Sequence, residues 1–499
     1  MGSQQLADWE LMIRQLWGEE IVELFGVKSV VLSRRAFLGA VGLVGLAGCS
    51  DLTGIDSNDY AARSTSKLLE SGLFFIAHRG SGDNWTEHTL RSYREALAIG
   101  AAAIELSIHR TADGHFVCHH DPSLERLCGK DVRIENLTLA ELDGYENNAK
   151  AWLGPETENE PISTLSQVLD ELAGKTILFV EDKTGKHAAE LISVLNESPA
   201  ETDSIVWKME ATGESRQLAA DAGYQTWGYF APQNFDRIER LAPQFDAIGI
   251  HDSADEMVIA RAVATNRPVI VWEVHTRTQM RELHALRVAG MMCANLPYVT
   301  SAPVEREWFQ DSFASGRRAA GDLPDVLTWK SQPAFLAEEG ALRLSGERKS
   351  GYVLGSMASL HEGSWTLDVQ LRWPVLGTET QIAGVAFGTA DDGPYRAFEK
   401  SQVQGFHLQV ESSGEISLWN SKPGGPLVLA RKRLLNFQPN HWIPLRIEVK
   451  DTKIAVFLDG ALLFTAGIPG SISAGYLNLV TLRPANQPVD FRGISLRQM

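Results

Sequence analysis

Beside the strand ends between residues 74 and 121, the chain places among its histidines His78 and His120, together with Arg79 and the acids Glu87 and Glu105. Imidazoles exchange protons near neutral pH, a guanidinium holds anions, and carboxylates hold cations. Such a set acts together only if secondary structure delivers it to one mouth. The apolar run 74–77 stops on His78-Arg79-Gly80, as a buried parallel strand does at its carboxyl end. The spacing then predicts a helix over 86–95, with Thr86 as N-cap and Leu90, Tyr93 and Leu97 on one stripe. A second apolar strand over 101–108 carries Glu105, Ser107 and His109 on one face. A carboxylate in a buried strand needs a counter-charge. A turn at Ala112-Asp113-Gly114 leads into 116–119, which ends in His120-Asp121.

After Asp121 the sequence is polar and turn-rich up to a short helix at 139–142 and a longer one over 164–172. A strand over 176–180 ends in Glu181-Asp182-Lys183. Strands over 204–208, 224–227, 247–250, 269–272 and 291–293 then alternate with helices over 213–222, 234–241, 255–265 and 278–288. Counted from Phe74 there are eight strands over about 230 residues, which is the pattern of a (β/α)8 TIM-type barrel. Chemistry in such barrels sits where strands end, and His78, His120, Glu181, Lys208, His251, Trp272 and Asn295 all fall there.

The motifs resemble those of the glycerophosphodiester phosphodiesterases. The resemblance rests on five elements in order: His78-Arg79-Gly80, Glu87-His88-Thr89, Glu105-Leu106-Ser107, Thr111-Ala112-Asp113-Gly114 and His120-Asp121. It implies metal-dependent hydrolysis of a small glycerophosphodiester to an alcohol and glycerol phosphate. By the same resemblance His78 and His120 are the acid/base pair, and Arg79 and Lys183 hold the phosphate. Glu105 and Glu181 are metal ligands, with Glu87 and His109 as further candidates, and Trp272, in Trp272-Glu273-Val274-His275, forms a wall over the substrate. Oxygen ligands suit Mg2+ or Ca2+, with Mn2+ as a third candidate. The bland readings are a surface ion pair for Glu181 with Lys183, a core role for Trp272, and capping for a lone His109 or His119.

Two departures bear on this. The family's second strand acid is Ser107 here, and its late Thr-Asp-x-Pro is Ala294-Asn295-Leu296-Pro297. Losing a carboxylate lowers cation affinity, because ligand charge sets it. Three outcomes stand open: weaker metal binding, replacement by His109 or Asp121, or a relative that binds phosphodiesters without turnover. Replacement by His109 favours a nitrogen-tolerant metal such as Mn2+ or Zn2+.

The 499 residues suffice for two or three domains, and 44% hydrophobic with 22% charged residues is ordinary globular material. A net charge of −17 argues against a nucleic-acid partner. Residues 1–49 read as a twin-arginine signal with lipobox. Ser33-Arg34-Arg35-Ala36-Phe37-Leu38 precedes the apolar 40–47 and Leu46-Ala47-Gly48-Cys49, with residues 50–71 as a tether. This implies an exported bacterial lipoprotein, anchored in the membrane through Cys49 at the periplasmic or extracellular face. The competing reading is a short buried helix. The amphipathic lead 1–32 is either an extended leader or an upstream start. Cys118, Cys128 and Cys293 are too few for a disulfide framework.

The barrel is expected over 72–300 and a connector over 301–325. From 326 to 499 the texture becomes short alternating strands, which predicts an all-β jelly-roll sandwich. Residues 441–464 and Gly475-Tyr476-Leu477 are similar to concanavalin-like lectin and glucanase domains. The sandwich is expected either to bind envelope glycan through Trp373 or Trp419, or to act as a spacer with those residues in its core. The rival to the enzyme is a catalytically weak or inactive barrel that binds phosphodiester head groups beside a glycan-binding sandwich.

Overall fold

The computed structural model describes residues 64–301 without a break. Beyond them it describes 308–311, 328–329, 333–344, 354–357, 363–389, 392, 405–422, 425–468, 470, 472, 476–483 and 487–499. The expected signal, Cys49 and most of the tether lie outside the described residues. No helix among the described residues is long and apolar enough to cross a membrane.

The barrel strands are β1 (Phe74–Ala77), β2 (Ala103–Arg110), β3 (Phe116–Cys118), β4 (Ile177–Asp182), β5 (Ile205–Glu210), β6 (Gln225–Phe230), β7 (Ala247–His251), β8 (Val269–Val274) and β9 (Gly290–Cys293). All but β3 pair in parallel around a closed ring, in which β1 meets both β9 and β2. The eight expected strands are these, most of them running one to three residues further toward the mouth. β3 is antiparallel and binds the outer end of β2, pairing His109 with Val117.

Period-two alternation sorts each strand into two faces. Phe74, Ile76, Ala103, Phe179, Val206, Trp227, Ile270 and Met292 form one interior cluster at the base of the ring. Two residues further along the same faces come Glu105, Glu181 and Lys208. The opposite faces, including Ile104, Leu106, Val180 and Ile250, pack against the helices. Residues 64–71 are not tether: a helix over Thr65–Glu70, capped by Ser64, buries Leu68 and Leu69 against the base cluster.

The first expected helix starts late, at Leu90–Ala98. Thr89 outcompetes Thr86 as the cap because it forms a reciprocal box with Ser92, each hydroxyl accepting the other's backbone N–H at 3.2 Å. Residues 86–88, released from the helix, extend the loop 78–88 on which the site is built. The later expected helices form in shortened versions, for example Glu256–Val263 behind Asp255 and Arg277–Ala285 behind Thr276.

The C-terminal strands form two antiparallel sheets, of eight and seven strands among the described residues. Both contribute to one core, with Leu367, Val369 and Ile447 from one sheet and Val385, Phe387 and Leu408 from the other. The connector is not strandless: Trp308–Asp311 pairs antiparallel with Ile494–Arg497. Trp373 is 1% exposed and packs at 6.3 Å on Phe437, so it belongs to the core and cannot face a glycan. Trp419 is half-buried, its indole N–H donating to Ser417 Oγ at 2.8 Å.

A buried carboxylate ties the two domains. Asp392, from the sandwich, accepts the backbone N–H groups of Arg277 (2.8 Å) and Thr278 (2.7 Å) and the Tyr298 hydroxyl (2.8 Å). It thus caps the helix that follows β8. Replacing Asp392 by Ala strands three buried donors and is expected to cost about 2 kcal/mol or more. A fall in the urea midpoint measures this, and an unchanged midpoint would show the contact to be idle.

Candidate active site

The loop 78–88 runs almost wholly buried over the mouth of the ring. Gly80 (φ 77°) must be glycine, because a Cβ there would meet Ser92 Oγ at 2.4 Å. Arg79, Ser81 and His88 also take positive φ (55°, 69° and 57°), a concentration of backbone strain of the kind stored at functional sites. The loop is held by its own side chains and by the segment that follows β9, the strand next to β1. Ser81 Oγ donates to Asn84 Oδ1 (2.7 Å) and accepts from Leu296 N (3.0 Å), while Asn84 Nδ2 donates to Asn295 Oδ1 (3.0 Å). Asn295, read from the sequence as a departure, therefore ties the loop down and caps the helix Leu296–Thr300.

Both histidines carry a carboxylate behind Nδ1. His120 Nδ1 lies 2.9 Å from Asp121 Oδ1, and His78 Nδ1 lies 3.4 Å from Glu273 Oε1. A carboxylate only accepts, so His120 Nδ1 bears the proton and its Nε2 keeps a lone pair. Burial, with Arg79 next in weight, holds His78 well below the usual histidine range. Burial also lowers His120, against the opposing pull of Asp121. Both imidazoles are therefore neutral at pH 7.

Arg79 and His120 are joined through Glu87. Arg79 Nη1 donates to Glu87 Oε1 (3.2 Å), and Arg126 grips the same carboxylate with Nη2 (2.6 Å) and Nη1 (3.0 Å). Arg126 Nε then reaches Asp121 Oδ2 at 2.6 Å. Burial opposes charge on Glu87, but the two guanidinium groups hold it well below the usual carboxylate range. Arg79 Nε is buried with no acceptor. The Arg79 side chain also helps to line a cavity of about 240 Å3, together with His78, Gly82, Asp83, Glu87, Arg126, Glu273, His275 and Ala294.

Below this cavity lies a second cluster. Lys208 Nζ stands 2.7 Å from Glu105 Oε1 and 2.8 Å from Glu181 Oε2. Lys183 adds a contact to Glu181 Oε2 at 3.2 Å, and the Tyr229 hydroxyl donates to Glu181 Oε1 at 2.7 Å. Ser107 Oγ donates to Glu105 Oε1 (3.0 Å), and the Arg79 backbone N–H to Glu105 Oε2 (3.0 Å). Trp272 packs edge-on against Tyr229, Trp227 and His251. It is partly buried and packs against the cluster at the base of the ring, to which Trp227 belongs.

Residues 78–295 match the model of the Glycerophosphoryl diester phosphodiesterase family. The matched stretch lies within the barrel. The chain is 33% identical over 111 residues to a glycerophosphodiester phosphodiesterase of Caldanaerobacter subterraneus, covering 22% of this chain and 45% of that protein. Over 186 residues it is 30% identical to a Mycobacterium tuberculosis protein named "Probable glycerophosphodiester phosphodiesterase 1", covering 37% and 61%. The chain thus spans about half the length of these curated relatives. A solved Oleispira antarctica phosphodiesterase, in complex with the product sn-glycerol-3-phosphate, aligns with a TM-score of 0.40 at 22% identity, covering 46% of this chain and 95% of that one.

The divalent ion implied by the family resemblance does not fit the residues as placed. Every oxygen of Glu105 and Glu181 already accepts a donor, two of them from the same ammonium. Charges of +1 and +2 about 4 Å apart repel by roughly 8 kcal/mol at an effective dielectric constant of about 20. Nor do the other candidate ligands converge. His109 Nε2 lies against the His120 carbonyl at 3.2 Å, Glu87 is held by two arginines, and Asp121 is shared between His120 and Arg126. Among the described residues no group of three or more His, Cys, Asp or Glu side chains is arranged to hold a metal ion.

The structure thus brings His78, Arg79, Glu87 and Glu105 into one charged network with His120, Glu181 and Lys183, and leaves His109 beside it. Sequence reasoning missed Arg126, the pairing of Glu273 with His78, and the role of Lys208. The available signal was a lone lysine in the apolar strand Ile205-Val206-Trp207-Lys208-Met209.

Glu87→Gln removes the anion between two arginines and is expected to cost about 3 kcal/mol of stability, read by chemical denaturation; a change near zero would mean that the arginines re-pair. A second expectation concerns pH. Burial lowers His88 to about 3 and His109 to about 4. These folded values lie below the unfolded value of about 6.5, so the unfolded chain takes up protons first as pH falls. The stability tied to their neutral forms is complete above pH ~6.5 and is lost on acidification toward the folded values, by about 1.4 kcal/mol per pH unit for each histidine. Denaturation midpoints between pH 7 and 5 check this, and a flat profile refutes it.

Proposed function

We propose that the barrel hydrolyses small glycerophosphodiesters to an alcohol and glycerol phosphate. The observation that carries the reading is the carboxylate-backed His78 imidazole and the Arg79 guanidinium lining one cavity, with a second carboxylate-backed imidazole, His120–Asp121, tied to the wall of that cavity through Arg126. The cavity is smaller than the ~300–1,000 Å3 typical of drug-sized ligands, which suits a small polar head group. The family match and the names of the relatives support the same substrate class.

In this reading Arg79 holds the phosphoryl oxygens, and Lys183 adds positive charge. A hydroxyl, either of water or of the neighbouring glycerol, attacks phosphorus while one imidazole Nε2 takes its proton. The new P–O bond forms as the bond to the leaving oxygen breaks, and the other imidazole, entering protonated, gives its proton to that oxygen. The phosphodiester's negative charge opposes the lowering of the histidines by Arg79, which makes that protonated form accessible. If a cyclic phosphate forms first, water opens it with the two proton roles exchanged.

For the rest of the chain we propose export and lipid anchoring through Cys49, on the strength of residues 33–49 alone. The sandwich is proposed to be of jelly-roll, concanavalin-like type, with Trp419 as the remaining candidate for contact with envelope glycan. A second reading, head-group binding without turnover, is favoured by one observation: Ser107 stands where the family motif has an acid.

Turnover of glycerophosphocholine, followed by release of glycerol phosphate, separates the two. His78→Ala and His120→Ala should each lower kcat by about 10^2–10^4 while the variants still bind the substrate. Variants with undiminished turnover would remove the acid/base assignment, and a wild type that binds without turning over would establish the second reading.

A further inference from the structure

We propose that the Lys208 ammonium stands in this chain where a divalent ion would otherwise be held, clamping Glu105 and Glu181 and supplying the fixed positive charge beneath the phosphate site. The inference rests on the phosphodiesterase reading only for its catalytic part; the replacement itself is a statement about the site. Three observations converge on it. Lys208 lies on the inward face of β5, two residues beyond Val206 of the base cluster, so the fold can place its side chain only inside the ring. Its Nζ sits 2.7 and 2.8 Å from carboxylates contributed by two other strands, which is a bridging position. The third acid that would complete a cation cage is Ser107, whose hydroxyl donates to Glu105 instead of offering a charge.

Charge counting agrees. With Lys208 and Lys183 beside them, Glu105 and Glu181 form a formally neutral group, which has no net charge to attract a cation. Ser107 and Lys208 then form one exchange. Loss of a carboxylate and gain of an ammonium leave the remaining two acids paired, whereas either change alone leaves a buried charge in excess. The ammonium's remaining direction faces the rings of Trp227 and Tyr229, at 5.6 and 5.7 Å, which hold it by cation–π attraction without competing for its protons.

The test uses the exported domains, 64–499, as one chain, and two readouts. The first is Mn2+ binding followed by electron paramagnetic resonance in wild type, Ser107→Asp, Lys208→Ala and the double variant Ser107→Asp/Lys208→Ala. The expected result is no stoichiometric binding in wild type or Ser107→Asp and one Mn2+ per chain in the double variant. Binding by wild type, or none by a folded double variant, overturns the proposal; if that variant is unfolded by circular dichroism, Lys208→Ser with Ser107→Asp replaces it. The second readout is glycerophosphocholine turnover after exhaustive chelation. Turnover that survives chelation and falls at least tenfold in Lys208→Met, with partial rescue in Lys208→Arg, supports the catalytic part. Turnover lost on chelation and restored by Mg2+, Ca2+ or Mn2+ overturns it. A wild type inactive under every condition removes the phosphodiesterase reading, while the Mn2+ titration still decides the replacement.

Discussion

Burying two carboxylates inside a ring of strands is the constraint on which the site depends. Glu105 and Glu181 are 0% and 3% exposed, and a buried charge survives only if it is paired and fully hydrogen-bonded. Lys208 meets that need for both at once. Burial opposes charge on Glu105, but Lys208, His78 and His88 hold it well below the usual carboxylate range, while Glu181, likewise buried and paired with Lys208 and Lys183, is lowered to about 2. Lys208 in turn is raised despite its burial. The layer of three strands that results is the floor on which the loop 78–88 rests, since Glu105 also accepts the Arg79 backbone N–H.

Above that floor the logic repeats with arginines. Glu87 is fully buried and is charged because Arg79 and Arg126 approach it from two sides. The second of these arginines ends on Asp121, which sits behind His120. At Glu87, whose carboxylate is out of reach of water, the ion pair becomes an orienting device, while the Arg126–Asp121 pair stays partly exposed. His120 is thereby oriented from the segment after β3, while His78 stands at the end of β1.

The ring was legible from the sequence because parallel strands buried on both faces read as continuous apolar runs, and each stops on its polar residue. His78 and Glu181 could be assigned to the mouth for that reason alone. The pairings across the ring were not legible. Lys208 is 103 residues from Glu105, and nothing local distinguishes a lysine that bridges two acids from one that reaches solvent. The cap at Thr89 was misplaced by three residues because Thr86 and Thr89 both precede the apolar stripe, and only the Ser92 hydroxyl decides between them. The polar segment 64–71 looked like linker since a six-residue helix with two buried leucines has too short a period to register. Trp373 could be read either way until its burial was known, because tryptophan serves cores and ligand surfaces alike.

The sandwich bears on the site through the same principle of paired buried charge. Glu273 and His275 close the end of β8, and the helix after them opens at Arg277. The two amide groups at that opening are satisfied by Asp392 from the other domain rather than by local side chains alone. The Arg277 side chain completes the joint from the barrel side, with Nε donating to the Tyr298 and Ser301 carbonyls at 2.9 and 2.8 Å. Only one residue, Thr276, separates this joint from His275, which lies 3.4 Å from Glu273 Oε2, while Glu273 Oε1 faces His78. A short run of backbone thus connects the domain interface to the carboxylate beside His78. The helix start is held twice, by Thr276 from within the barrel and by Asp392 from the sandwich, and Gln279 in its first turn bonds the backbone of both Glu273 and His275.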